Sequence, residues 1–136
     1  MDKEKFTSRT NEIKEQKLHS LTNTFDILKF YIQDKCEQKF REYFIKNNKN
    51  PEESDTKGNT LLNLAVQADL IPTTTFLLDL NLYINTQNHS LNTPLHYALS
   101  KKNFEIANLL LKRKASEKIE NALGFTPWQC IGINLE

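Results

Sequence analysis

The feature that most constrains this chain is a spacing. Thr60-Leu61-Leu62-Asn63-Leu64-Ala65 is answered 33 residues on by Thr93-Pro94-Leu95-His96-Tyr97-Ala98, and 33 residues further by Thr126-Pro127-Trp128-Gln129-Cys130-Ile131 (start positions 60, 93 and 126). The register extends past these hexamers. Leu77 and Leu78 align with Leu110 and Leu111, Ala65 with Ala98, Asp55 with Asn88 and Asn121, and Leu91 with Gly124. A constant period held over three copies means stacked supersecondary units, each burying its apolar face against its neighbours.

The residues of the hexamer have separable physical roles. Thr93 suits a helix N-cap, and Pro94 suits the first helical position, where its missing N–H costs nothing. Thr126-Pro127 repeats the device. Leu95 and Ala98 lie one turn apart on one face, and small Ala98 lets a neighbouring helix approach closely. Ile106, Leu109 and Leu110 then recur at helical spacing and form a second apolar stripe. Two short antiparallel helices per unit follow. With this period and the sequence T-P-L-H-Y-A, the chain resembles the ankyrin repeat family. The resemblance implies an all-α fold, a short ankyrin-repeat solenoid of stacked helix-turn-helix units with short loop or hairpin fingers.

Laid along the chain, the period gives a polar N-terminal tail at 1–21, a degenerate capping repeat at 22–54, repeats at 55–87 and 88–120, and a truncated repeat at 121–136. In the capping unit Phe25, Leu28, Ile32 and Cys36 share one helical face, and Phe40, Tyr43 and Phe44 share another. Paired helices are expected over roughly 22–47, 59–80 and 92–114, with one further helix from about 126. The tail is too poor in apolar residues to fold alone, so an ordered tail implies contact with something outside the repeats, or else one more amphipathic turn of Ile13, Leu18 and Leu21 leading into the stack. The second helix of the 55–87 unit is the weakest, because Pro72-Thr73-Thr74-Thr75 has poor helix propensity and Pro72 is tolerable only in the first turn. Gly58 and Gly124 supply the positive φ of a tight turn, whereas Leu91 stands at the same place between them. The 88–92 turn is therefore of another type or is strained.

Function classes narrow by exclusion. A net charge of +1 gives no global field to attract nucleic acid or an anionic membrane. No signal-like segment opens the chain and no run reaches membrane-spanning length, so an intracellular, cytoplasmic chain without membrane insertion is expected. Cys36 and Cys130 are expected inside helices as buried thiols, without disulfide or zinc-ligand spacing. Three glycines do not make a phosphate loop. Lys101-Lys102 and Lys112-Arg113-Lys114 read as solvated helix faces, and Asn88-His89-Ser90 as a turn rather than a glycosylation site. No catalytic residue, cofactor or metal site is expected, and an enzyme is the third-ranked class.

The resemblance implies that His96 is structural, its ring tying neighbouring loops, with Asn63 and Gln129 as polar substitutes in the other copies. It also implies one or more protein partners bound at the finger tips and the exposed side of the first helices. Those positions are Thr56, Lys57, Asn59, Gln67 and Ala68, then His89, Ser90, Asn92, Ser100 and Lys101, then Leu123, Phe125, Trp128, Ile133 and Asn134. The last group is apolar where loops are usually polar. Leu123, Phe125, Trp128 and Ile133 are therefore expected to contact another chain or to fold back on the preceding unit. The leading expectation is a non-catalytic adaptor or scaffold subunit of a hetero-oligomeric assembly. The alternative is a structural subunit of a large cytoskeletal or ciliary complex, ordered by its neighbours.

Overall fold

The computed structural model describes residues 23–47 and 50–135, together with Gln16, Leu18 and Leu21. The expectation for the 1–21 tail falls outside the described residues apart from those three positions. Six α-helices form three antiparallel pairs among the described residues. They are α1 (Thr24–Gln33) with α2 (Glu37–Asn47), α3 (Leu61–Gln67) with α4 (Ile71–Leu78), and α5 (Pro94–Ser100) with α6 (Phe104–Lys112); a short 3-10 helix, η1 (Pro127–Cys130), follows. The inner layer stacks α1 on α3, α3 on α5 and α5 on η1, and the outer layer stacks α2 on α4 and α4 on α6. The only strand-like pairing among the described residues is one antiparallel bridge between Ser54 and Thr60.

The predicted stripes become the core. Phe25, Leu28 and Ile32 of α1 are buried against Leu61, Leu62, Ala65 and Val66 of α3, which in turn meet Leu95, Ala98 and Leu99 of α5. Each Leu, Ile, Val or Phe of that set is worth about 1.5–3 kcal/mol of burial. In the outer layer, Phe40 and Phe44 of α2 pack edge-on against Phe76 of α4 at 6.5 and 5.4 Å between ring centroids. Cys36 is not helical as expected: it lies in the turn before α2, where its carbonyl accepts the Phe40 amide at 3.0 Å. The connection leaves α1 through Lys35 at φ 55°, so the α1 face ends with Ile32.

The caps follow the sequence closely. The side chains of Thr60 and Thr93 accept the amides of Asn63 and His96 to open α3 and α5. Helix α4 has no such cap, and Pro72 sits in its first turn, where it costs no intrahelical bond. Helix α4 forms although Thr73 and Thr74 occupy core positions, and their hydroxyls are buried without a hydrogen-bond partner among the described residues. Tertiary packing of Leu77 and Leu78 overrides poor local propensity.

The finger turns answer the question posed by Leu91. Gly58, Leu91 and Gly124 have φ of 79°, 59° and 79°, so all three fingers make the same left-handed turn, and in the middle one a branched side chain bears the strain. Gly58 has a second constraint: a Cβ there would stand 2.7 Å from the His89 ring. The further helix expected from about 126 is only the four-residue η1. Gly132 stands where α3 and α5 carry the core residues Val66 and Leu99, so continuing the helix would bury nothing at that place.

Candidate functional site: the concave groove

Each finger is built on one acidic or amide side chain. Asp55 Oδ1 accepts the Lys57 and Asn59 amides at 2.9 and 2.8 Å, Asn88 Oδ1 those of Ser90 and Asn92 at 3.1 Å each, and Asn121 Oδ1 those of Leu123 and Phe125 at 3.0 Å each. These are Asx-type closures of a turn. The fingers are then laced together. The His89 amide donates to the Lys57 carbonyl at 2.9 Å and the Ala122 amide to the Ser90 carbonyl at 3.0 Å. Beneath them, Asn88 Nδ2 donates to Asn59 Oδ1 and Asn121 Nδ2 to Asn92 Oδ1, both at 2.9 Å. Asn88 Nδ2 also reaches the Tyr97 hydroxyl at 2.6 Å, a place that Cys130 Sγ takes for Asn121 at 3.6 Å.

His96 ties the same layer to the next finger. Its Nδ1 accepts the Thr93 amide at 3.0 Å, and its Nε2 lies 2.9 Å from the Phe125 carbonyl. In that arrangement Nε2 carries the proton and donates. Burial pushes the His96 pKa below its ordinary value, opposed by the bond to Phe125, so the ring is neutral at pH 7. Burial likewise raises the Cys130 thiol, with the Asn121 contact partly offsetting it, which leaves no activated nucleophile there. Asn63 does not reproduce the His96 link. It turns instead to Thr86 Oγ1 at 3.4 Å, and its own buried Oδ1 has no partner among the described residues. Gln129 caps η1 by accepting from the Thr126 amide at 2.8 Å.

Between fingers and inner helices runs a concave groove. One hollow of about 480 Å³ is lined by Thr56, Lys57, Asn59, Gln67, His89 and Ser90, with Asn88, Tyr97 and Leu135. A second of about 350 Å³ continues it past Gln67 and Tyr97 to Ser100, Lys101 and residues 132–135. Ten of the expected positions, Ile133 and Asn134 among them, thus share one surface. Asn92 does not join them: it is buried in the asparagine ladder and is scaffold. Asn59 lines the groove but its Oδ1 is already taken by Asn88 and Gln67, so it positions rather than binds. Ala68 is the C-cap of α3 and packs on the core.

The apolar group at 123–133 is split. Leu123 is 66% and Trp128 44% exposed, with the Trp128 indole N–H donating to Glu117 at 2.8 Å. Phe125 is half-buried and is not a free loop tip, since its carbonyl holds His96 and its amide is held by Asn121. Ile133 turns back toward α5, and exposed Asn134 follows it. Tyr97 and Leu135 were missed. Tyr97 had a signal, a phenol hydroxyl at the register where the other copies carry Leu64 and Cys130, while Leu135 had none.

The basic residues are also partly spoken for. Lys101 pairs with Asp69 at 2.8 Å, and Arg113 pairs with Asp79 and donates to the Leu78 carbonyl at 2.9 Å. Instead of a uniformly solvated face, Lys101 and Arg113 clip one unit to the one before it. Burial opposes ionisation of Asp69, but Lys101 and Asn103 outweigh it and hold its pKa below the ordinary value. Among the described residues, no cluster of His, Cys, Asp and Glu has metal-binding geometry, and no helix is long and apolar enough to cross a membrane.

A sequence profile of ankyrin repeats in three copies matches residues 21–121. The chain belongs to the ankyrin repeat family. A putative ankyrin repeat protein of Rickettsia bellii (strain RML369-C) is 36% identical over 115 residues, covering 80% of this chain and 34% of that protein. One from Rickettsia felis (strain ATCC VR-1525 / URRWXCal2) is 32% identical over 114 residues, covering 76% and 49%. The chain therefore spans half or less of the curated relatives it matches. Among solved structures, the ankyrin repeat domain of Bcl-3, described as a unique member of the IkappaB protein family, superposes with a TM-score of 0.70 at 19% identity, covering 77% of this chain and 46% of that one. Ankyrin repeats are generally protein–protein interaction modules and are typically non-catalytic.

Proposed function

We propose that this ankyrin chain is a small adaptor or scaffold subunit that holds a protein partner in its concave groove, within a hetero-oligomeric assembly in the cytoplasm and without catalysis or nucleic-acid binding. The observation that carries the reading is a division of labour among polar side chains. Asn88, Asn92, Thr93, His96 and Asn121 are buried and bonded to one another or to backbone. Thr56, Lys57, His89 and Ser90 line the groove, and their side chains form no hydrogen bond or ion pair with the described residues. Polar groups that the fold does not use are the ones available to a partner, and they stand on a scaffold the ladder makes stiff.

The second reading, a structural subunit whose neighbours cover an apolar edge, is favoured by the exposure of Leu123, Trp128 and Ile131. Two double variants separate the readings: Lys57→Glu with His89→Glu in the groove, and Leu123→Ser with Trp128→Ser on the edge. The groove pair is expected to reduce co-purified partner by about tenfold with the unfolding midpoint unchanged, as for loss of a few central contacts. Undiminished recovery from the groove pair, with loss from the edge pair, would replace the first reading by the second.

A further inference from the structure

The groove already has something in it. After η1 the chain reverses through Cys130-Ile131-Gly132-Ile133, with the Ile133 amide donating to the Cys130 carbonyl at 2.9 Å. Ile131 at φ −55°, ψ 118° and Gly132 at φ 74° are the two central positions of a type II turn, whose third residue needs a positive φ. The reversal lays residues 132–135 beside Gln67, Tyr97, Ser100 and Lys101. Ile133 and Leu135 are half-buried while Asn134 between them is exposed, the alternation of an extended segment with one face down. Leu135 packs against the hydrophobic core and lines both hollows of the groove.

We propose that residues 131–135 are a built-in occupant of the groove, and that the partner is an extended segment whose aliphatic side chains, two residues apart, take the places of Ile133 and Leu135. This rests on the reading of the groove as the partner site and adds what the partner looks like and what it must displace. The groove selects such a segment because its floor offers the Tyr97 ring and the stems of Gln67 and Lys101, apolar in body and polar at the tip. A tethered occupant acts at an effective concentration of order millimolar, so it excludes weak ligands and yields to stronger ones.

The test uses the whole chain and a synthetic peptide of residues 131–136, followed by amide chemical shifts. In the Ile133→Ser/Leu135→Ser variant the peptide is expected to shift Ser90, Tyr97, Ser100 and Lys101, and to bind about fivefold or more tightly than to the unaltered chain. Equal affinity for both chains, or shifts in neither, overturns the inference. Gly132→Val releases the segment by a different route, because a branched residue is strained at that positive φ, and it gives the same readout should the first variant fail to fold. Loss of partner with the groove pair Lys57→Glu/His89→Glu, but no effect of either release variant on peptide binding, would leave the groove reading intact and remove the occupant.

Discussion

At one position of the motif in α5, His96 has both ring nitrogens engaged, with Thr93 on one side and Phe125 of the next finger on the other. At the same position of α3, the Asn63 side chain reaches only Thr86 among the described residues, and its buried Oδ1 has no partner among them. The outer helices repeat the contrast. Ile106 and Ala107 of α6 fill core positions with apolar groups, whereas Thr73 and Thr74 of α4 place hydroxyls there. Two neighbouring units of one backbone design therefore differ in how completely their side chains satisfy it. The α3–α4 pair is held mainly by what flanks it, including α1 through Leu28 and Ile32 and α2 through the aromatic cluster. In a stack, stability is a sum of unit and interface contributions, so an incomplete unit survives between sound interfaces.

The largest break in the comparison is His96→Ala. It strands the Thr93 amide and hydroxyl and one bond to Phe125, and opens a cavity, so unfolding stability is expected to fall by about 2–3 kcal/mol in a denaturant titration. A loss below about 0.5 kcal/mol would show that the histidine does not tie the fingers. The same variant tests a pH effect. The folded ring resists protonation while the unfolded ring takes a proton near its ordinary value of about 6.5. The unfolded state then binds more protons, so stability declines as pH falls through that value and levels off below the lower, folded one. That decline is expected to be absent in His96→Ala.

The contrast is sharpened from the other side by Thr73→Val, which replaces an unpartnered buried hydroxyl with a methyl of similar shape. A gain of about 1 kcal/mol is expected by thermal or denaturant unfolding. A loss would mean that the hydroxyl is satisfied by water entering the 240 Å³ cleft that Thr73 lines with Phe40, Arg41 and Phe76. The smallest effect belongs to Leu91→Gly, which gives the middle finger the residue its neighbours have. Relief of the left-handed strain, less the entropy of an added glycine, is expected to leave a gain of about 0.5 kcal/mol. An equal loss would show that the exposed leucine side chain stabilises the finger.

Much of this was legible because it repeats. The stripes Phe25-Leu28-Ile32 and Ile106-Leu110 were found by period, and the role of His96 by its place in the motif. The asparagine ladder is half visible: Asp55, Asn88 and Asn121 show the register, but Asn92 falls among the finger-tip positions, and spacing alone does not say which amide faces inward. Lys101 and Arg113 looked like free charge because their partners Asp69 and Asp79 lie one full unit away. Cys36 continues the apolar spacing of the first helix in the sequence, but the chain abandons that spacing at Lys35.

The sequence by itself determined the family, the helix pairs, the cap at Thr93 and the left-handed turns at Gly58 and Gly124, and at Leu91 it left open another turn type or strain. Each of these depends on residues within one turn or at one fixed period, so local stereochemistry and side-chain pattern are enough. Only the tertiary structure decided which polar side chains the stack uses up and which it leaves in the groove. It also decided that Gly132 turns residues 133–135 across α5 instead of extending η1. Those outcomes depend on what lies opposite a residue in the neighbouring unit, and no pattern within a single unit encodes that.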